Sequence, residues 1–196
     1  MRALSRWQDA TLGTLGVLGV LVAWEAVTRS GLVSPVIFPP PTSAIAVSWA
    51  KLPPRELWEH VSTSLLRILW GFGIGAGLGI ALGITSGWYR ILGALVRPLI
   101  ELVRPIPPLA WIPMAIIWFG IEEPSKVFVI FLGAFFPVVT NTYRGMTGVD
   151  PILLRAAQTM GLSGPRILLQ VAIPAAMPDI ATGIRVGWGL SFGVLV

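Results

Sequence analysis

A chain of 196 residues that is 55% hydrophobic and 12% charged, with mean hydropathy +0.80, is too apolar for a soluble domain, where roughly a quarter of residues are charged. Its lack of cysteine excludes a disulfide framework and a thiolate metal site. The net charge of +5 comes from 14 lysines and arginines placed singly, not from the clustered patch that a nucleic-acid interface needs; with nine tryptophans it suits interfacial anchoring of a membrane protein with five or six helical spans.

In sequence order, Arg2 and Arg6 precede an uncharged run from Ala10 to Trp24, which Glu25 and Arg29 close. This predicts a first, rather short span within residues 1–30. A cleaved signal peptide fits less well, because Trp24-Glu25 is a poor cleavage site. Between Ser30 and His60, prolines 35, 39, 40, 41, 53 and 54 exclude one continuous helix. Residues 31–55 are therefore a Pro-rich connection, in which Pro41-Thr42-Ser43 can start a short interfacial helix. Arg55 to Leu66 can form an amphipathic lead-in to the next span. His60, the only histidine, reads as a solvated residue rather than a ligand.

Ile68 to Tyr89 is uncharged and bounded by Arg67 and Arg90, the clearest span in the sequence. Gly71, Gly75, Gly79, Gly83 and Gly87 recur every four residues, with a shorter row at Gly73 and Gly77. Rows of small residues let helix backbones approach in lipid, so this helix is expected inside a bundle. The next segment carries Arg97, Glu101 and Arg104 and then Pro105, Pro107, Pro108, Trp111 and Pro113. Prolines at the start of an apolar run break the helix, and a broken helix is tolerated at membrane depth only against protein or a cavity. The third span is therefore expected to line a pathway. Val127 to Tyr143 is a fourth span, with Pro137 inside it and Asn141 near its end.

The polar interruption from Asp150 to Pro174 predicts a helical hairpin. Asp150 caps, Pro151 takes the first helical position, and Gly161 supplies a left-handed stop. Ile152, Ala156 and Met160 share one face. Ser163 caps a second piece, which Pro174 kinks or ends. Ala175 to Val196 begins a fifth span. With the N-terminus inside, Arg2, Arg6, Arg90, Arg97, Arg144, Arg155 and Arg166 lie on the inner side, against Arg29, Lys51, Arg55 and Lys126 outside. That excess places the hairpin in the cytoplasm.

Two motifs carry a resemblance. Arg155-Ala156-Ala157, then Gly161, Val171 and Ile173-Pro174, is spaced like the EAA loop of ABC importer permeases, with Arg155 where that pattern has glutamate. The run from Arg104 through Pro105, Pro107, Pro108, Trp111 and Pro113 to Gly120 resembles the nitrate, sulfonate, taurine and bicarbonate branch of those permeases. The resemblance covers roughly Glu56 to the end. It implies an all-α, polytopic membrane bundle of the type I ABC importer kind, with about five of six spans present and a C-terminal truncation at Val196. Residues 56–196 would be the permease domain, and residues 144–174 its cytoplasmic coupling loop.

By the same resemblance, Arg155, Ala156, Ala157, Met160, Gly161, Leu162 and Pro174 are ATPase-coupling residues, with Ala156, Ala157 and Gly161 as the docking surface. Pro105, Pro107, Pro108, Trp111, Pro113 and Asn141 would line the pathway, while Gly71, Gly75, Gly79, Gly83 and Gly87 pack helices. The implied partners are a separate ABC ATPase, a second permease copy, a periplasmic or lipid-anchored solute-binding protein, and membrane lipid. The implied location is the bacterial inner membrane, with the N-terminus cytoplasmic. No cofactor, metal or catalytic residue is expected, since the sequence has neither a Walker-type Gly-Lys-Ser/Thr nor a zincin motif. A secondary transporter or channel is the rival class. It would need coupling carboxylates, for which only Glu101 and Asp179 are near candidates. Arg67, Arg104 and Arg185 would suit an anionic solute, but arginines near helix ends more often snorkel to the interface.

Overall fold

The computed structural model describes residues 6–31, 33–51 and 53–195; Arg2 and Val196 lie outside them. The protein divides into two units, Met1–His60 and Val61–Val196. All regular structure among the described residues is helical. In the first unit, α1 (Arg6–Arg29) and α2 (Pro41–Lys51) are joined through a turn with Gly31 at φ +77°. Pro41 has no N–H to satisfy, so the first donor of α2 is Thr42. The Glu25 carboxylate takes both the Thr42 N–H (3.2 Å) and the Thr42 hydroxyl (2.6 Å), while pairing with Arg29. An acid from α1 thus stands in for the missing cap of α2.

The expected lead-in and second span are one helix. α3 (Pro54–Trp88) has 35 residues, about 52 Å at 1.5 Å per residue, longer than the ~30 Å hydrocarbon core. The expected glycine row is its packing face. A β-carbon built at Gly71 would meet Ile130, and those at Gly75, Gly79, Gly83 and Gly87 would meet Ala134, Val138, Thr142 and Met146 in turn. These partners lie on α6 (Glu123–Thr147). The offset stays constant along the row, so α3 and α6 run parallel. The shorter row, Gly73 and Gly77, meets nothing within 4 Å.

Parallel neighbours require the intervening segment to return to the side where α3 began. It does so through α4 (Arg90–Val103), a 3-10 turn (Pro108–Trp111) and α5 (Ile112–Phe119), whose two arms are bent by 87°. The break falls at the expected proline cluster. Four helical stretches are long and apolar enough to cross a membrane: Thr11–Arg29, Pro54–Trp88, Glu123–Thr147 and Gly164–Gly193. Counted as one broken span, the bent pair brings the number among the described residues to five.

After the hairpin helix α7 (Pro151–Thr159), α8 (Gly164–Ile167) continues through a π-turn (Leu168–Ala172) into α9 (Ile173–Gly193). Of the two outcomes expected at Pro174, a kink or an end, the end does not occur, and the helix that holds the fifth span starts at Gly164 rather than at Ala175. In the π-turn, the Ile173 N–H reaches back five residues to the Leu168 carbonyl. Pro174, which has no N–H to give, enters the first turn of α9 without ending the helix. α9 packs antiparallel on α6: Gly145 sits against Ala176 and Asp179, Gly183 against Val138 and Asn141, and Gly187 against Ala134. α6 is therefore the centre of the second unit, held between α3 and α9. Ala134, Val138, Val139 and Thr142 are fully buried.

Candidate functional site

The first candidate region is the hairpin. Asp150 accepts the Ile152 N–H at 2.8 Å, the predicted cap. At the other end Gly161 has φ +83°. Its N–H bonds the Gln158 carbonyl, and the Leu162 N–H bonds that of Ala157. This bond pair is a Schellman motif, which ends α7 and turns the backbone through a conformation that a β-carbon opposes. Ser163 has the extended backbone of a cap, but its side chain bonds no helix N–H.

Exposure sorts the residues expected to couple by face. Ile152 is 69% exposed and Met160 81%, with Arg155, Ala156 and Gly161 also exposed and Leu162 half-buried. Ala157, expected on the docking surface, is 5% exposed. It faces inward, so no partner can touch its side chain. Its small size instead lets α7 lie close to the rest of the unit. Leu154, Leu168 and Ile173 root the hairpin in a cluster with Met146, Val149, Ala172, Ala176 and Ile180. What remains outward is the stripe Ile152, Ala156 and Met160, flanked by Leu153. Ile152 and Met160 are thus among the large apolar side chains that the protein leaves exposed.

The second region is a groove along α6. Towards the α7 end, a cavity of about 320 Å³ is lined by Arg97, Glu101, Arg104, Thr140, Tyr143 and Arg144, among others. Arg97 pairs with Glu101 at 2.7 Å one helical turn on. A second cavity, of about 240 Å³, lies beside the middle of α6 and is walled by Leu132, Phe136, Pro137, Val186 and Leu190, with Arg104, Thr140 and Asn141 as polar members. Arg104 and Thr140 line both.

Of the pathway residues expected from sequence, Pro108 and Asn141 line the mid-helix cavity. Pro105, Pro107, Trp111 and Pro113 line neither cavity. Pro107 precedes the 3-10 turn and Pro113 sits in the first turn of α5; these prolines shape the bend. Arg67 binds Glu123 with both guanidinium arms, its Nη2 at 2.6 Å, and so fastens α3 to the start of α6. Sequence reasoning missed Gly145, Gly183 and Gly187, which bring α6 and α9 together. Gly183 and Gly187 are only two, beside Asp179 and Arg185, and Gly145 stands on another helix, so no long row announces the face that they form.

An all-helical bundle with a bent span, a groove beside its central helix and a rooted hairpin with an apolar outer stripe is the architecture of a transport subunit. Residues 75–196 match the family of binding-protein-dependent transport system inner membrane components, and the protein belongs to that family. It is 38% identical to the taurine transport system permease protein TauC of Escherichia coli, over 98% of this sequence and 71% of that protein. It is 37% identical to a putative aliphatic sulfonates transport permease protein of the same organism, over 91% and 68%. Against the bicarbonate transport system permease protein CmpB of Synechococcus elongatus it is 32% identical, over 98% and 74%. The protein is thus a multi-pass permease of the ABC importer class.

Proposed function

We propose that this permease forms half of a pathway for a small solute such as taurine, a sulfonate, bicarbonate or nitrate, and that its hairpin couples the pathway to ATP hydrolysis on a separate subunit. The observation that carries the coupling role is the outward stripe of Ile152, Ala156 and Met160 on a helix capped at both ends. Apolar side chains held rigidly outside a core suit a knob that fits a partner's groove. A second copy completes the pathway, and a solute-binding protein delivers the solute. The exposed Arg155 reverses the charge that the family pattern has at this position, so the coupling reading rests on the apolar stripe.

Replacing Ile152 and Met160 together by aspartate is expected to abolish copurification with the ATPase subunit, while the permease still accumulates in the membrane. A double variant that retains the ATPase in full would sink the coupling role. The excess of arginines on the hairpin side supports a cytoplasmic hairpin and N-terminus. A cysteine introduced by Ser163→Cys is therefore expected to react with an impermeant thiol reagent in inside-out vesicles but not in intact cells; labelling from outside would reverse the topology.

A further inference from the structure

We infer that Arg104 is the specificity-determining cation of the pathway, and that the solute it selects is a small organic anion with a charged head and a short apolar body. This rests on the importer role proposed above.

Three arginines could serve an anion, and their surroundings separate them. Arg67 is committed to Glu123. Arg185, exposed like Arg104, lines neither cavity of the groove. Arg104 lines both. Its backbone is set by the fold: its N–H closes the last turn of α4 on the Ile100 carbonyl at 2.8 Å, and Pro105 follows at once into the 87° bend. The side chain is thereby delivered beside the second half of the 25-residue α6, with Phe136 to Asn141 in one cavity and Val139 to Thr147 in the other. A cation within a span is unfavourable unless it meets a counter-charge or a water-filled cavity. Among the described residues no carboxylate pairs with Arg104, and Glu101, one turn earlier, is taken by Arg97.

The mid-helix cavity fits the rest of the solute. Arg104 is the only charged side chain lining it, and Thr140 and Asn141 are the other polar ones. The Thr140 hydroxyl donates to the Phe136 carbonyl at 2.7 Å, and the Asn141 amide gives one N–H to the Pro137 carbonyl at 2.8 Å. What is left over is the donor fork of a guanidinium, one amide N–H and the Asn141 side-chain oxygen. An oxyanion takes the donors, and the positive charge of Arg104 disfavours a cation. Leu132, Phe136, Val186 and Leu190 form the other wall, which offers nothing to a bare inorganic anion but packs against a short hydrocarbon segment. Arg104 and Thr140 border both cavities and so stand where the two adjoin.

The test uses the intact transporter, this permease with its ATPase and solute-binding protein, reconstituted in liposomes. Uptake of radiolabelled taurine and bicarbonate is measured for the wild type, R104Q, R104K, N141A and R185Q. For the wild type, ATP-driven uptake of taurine in preference to bicarbonate is expected. R104Q should lower kcat/KM for taurine by roughly ten- to a hundredfold, the loss of a charge-assisted hydrogen bond. R104K should recover most of that loss, and R185Q should match the wild type. N141A, on a different helix, should raise KM by about fivefold, and it serves as the second arm should R104Q fail to assemble. Wild-type uptake by R104Q or, in that case, by N141A overturns the inference and leaves the importer role standing. A wild type that prefers bicarbonate overturns the organic-anion part. A wild type in which the binding protein stimulates neither uptake nor ATP hydrolysis overturns the importer role itself.

Discussion

Gly75→Leu is expected to remove the folded permease from the membrane, whereas Gly77→Leu, half a turn away on the same helix, is expected to leave its amount and activity close to normal. A β-carbon at Gly75 would lie 2.7 Å from the Phe131 carbonyl oxygen and 2.9 Å from the Ala134 methyl. The backbone of a fully packed neighbouring helix does not withdraw as the tip of a long, flexible residue would, so α3 must move off α6 as a body. Overpacking in a tight core costs about 1–3 kcal/mol, and separating two helices that meet along five glycines loses van der Waals contact besides. Against a folding margin of roughly 5–15 kcal/mol that is a severe change. At Gly77 nothing lies within 4 Å, and leucine is the better helix former. Membrane abundance and thermal aggregation of the detergent-solubilised protein would decide the pair; equal behaviour of the two variants would contradict the packing described for α3.

Gly161→Pro is expected to abolish ATP-driven uptake while the protein still inserts and keeps its bundle. Gly161 sits at φ +83°, and proline is confined near −65°. The substitution also deletes the N–H that bonds the Gln158 carbonyl. Both effects fall on the turn between α7 and α8, where the added ring meets open space, so the damage is to the angle of the hairpin and not to the core. A proline at an incompatible position costs about 3 kcal/mol or more, enough to re-aim α7. Vanadate-sensitive uptake together with copurification of the ATPase measures the consequence. Uptake at the wild-type rate would show that the geometry of the hairpin is not used.

Much of this could be foreseen where local chemistry has a single outcome. Asp150, Pro151 and Gly161 announce a capped and terminated helix, because cap and stop depend on near neighbours in sequence. The Gly71 to Gly87 row announces a packing face, because period four in a lipid-spanning helix leaves few other uses. Where two outcomes differ only in tertiary context, sequence reading stops. Ala156 and Ala157 are chemically identical, and only the packing of the hairpin turns one outward and the other in. Pro174 reads as a kink or an end until the π-turn before it is known. Arg104 could have been a snorkelling residue at an interface; its depth depends on an 87° bend that prolines permit without specifying the angle.

The π-turn also has a mechanical side. Ile167 and Ala172, five residues apart, are both buried, and Ala176 and Ile180 continue the same side at intervals of four. One widened turn thus reconciles the seating of the hairpin with that of α9, and the backbone runs unbroken from Gly164 to Gly193, about 45 Å at 1.5 Å per residue. There is no slack segment between them. A displacement at the outer end of that rod has no loop in which to dissipate, and tilts or twists the wall that carries Val186 and Leu190.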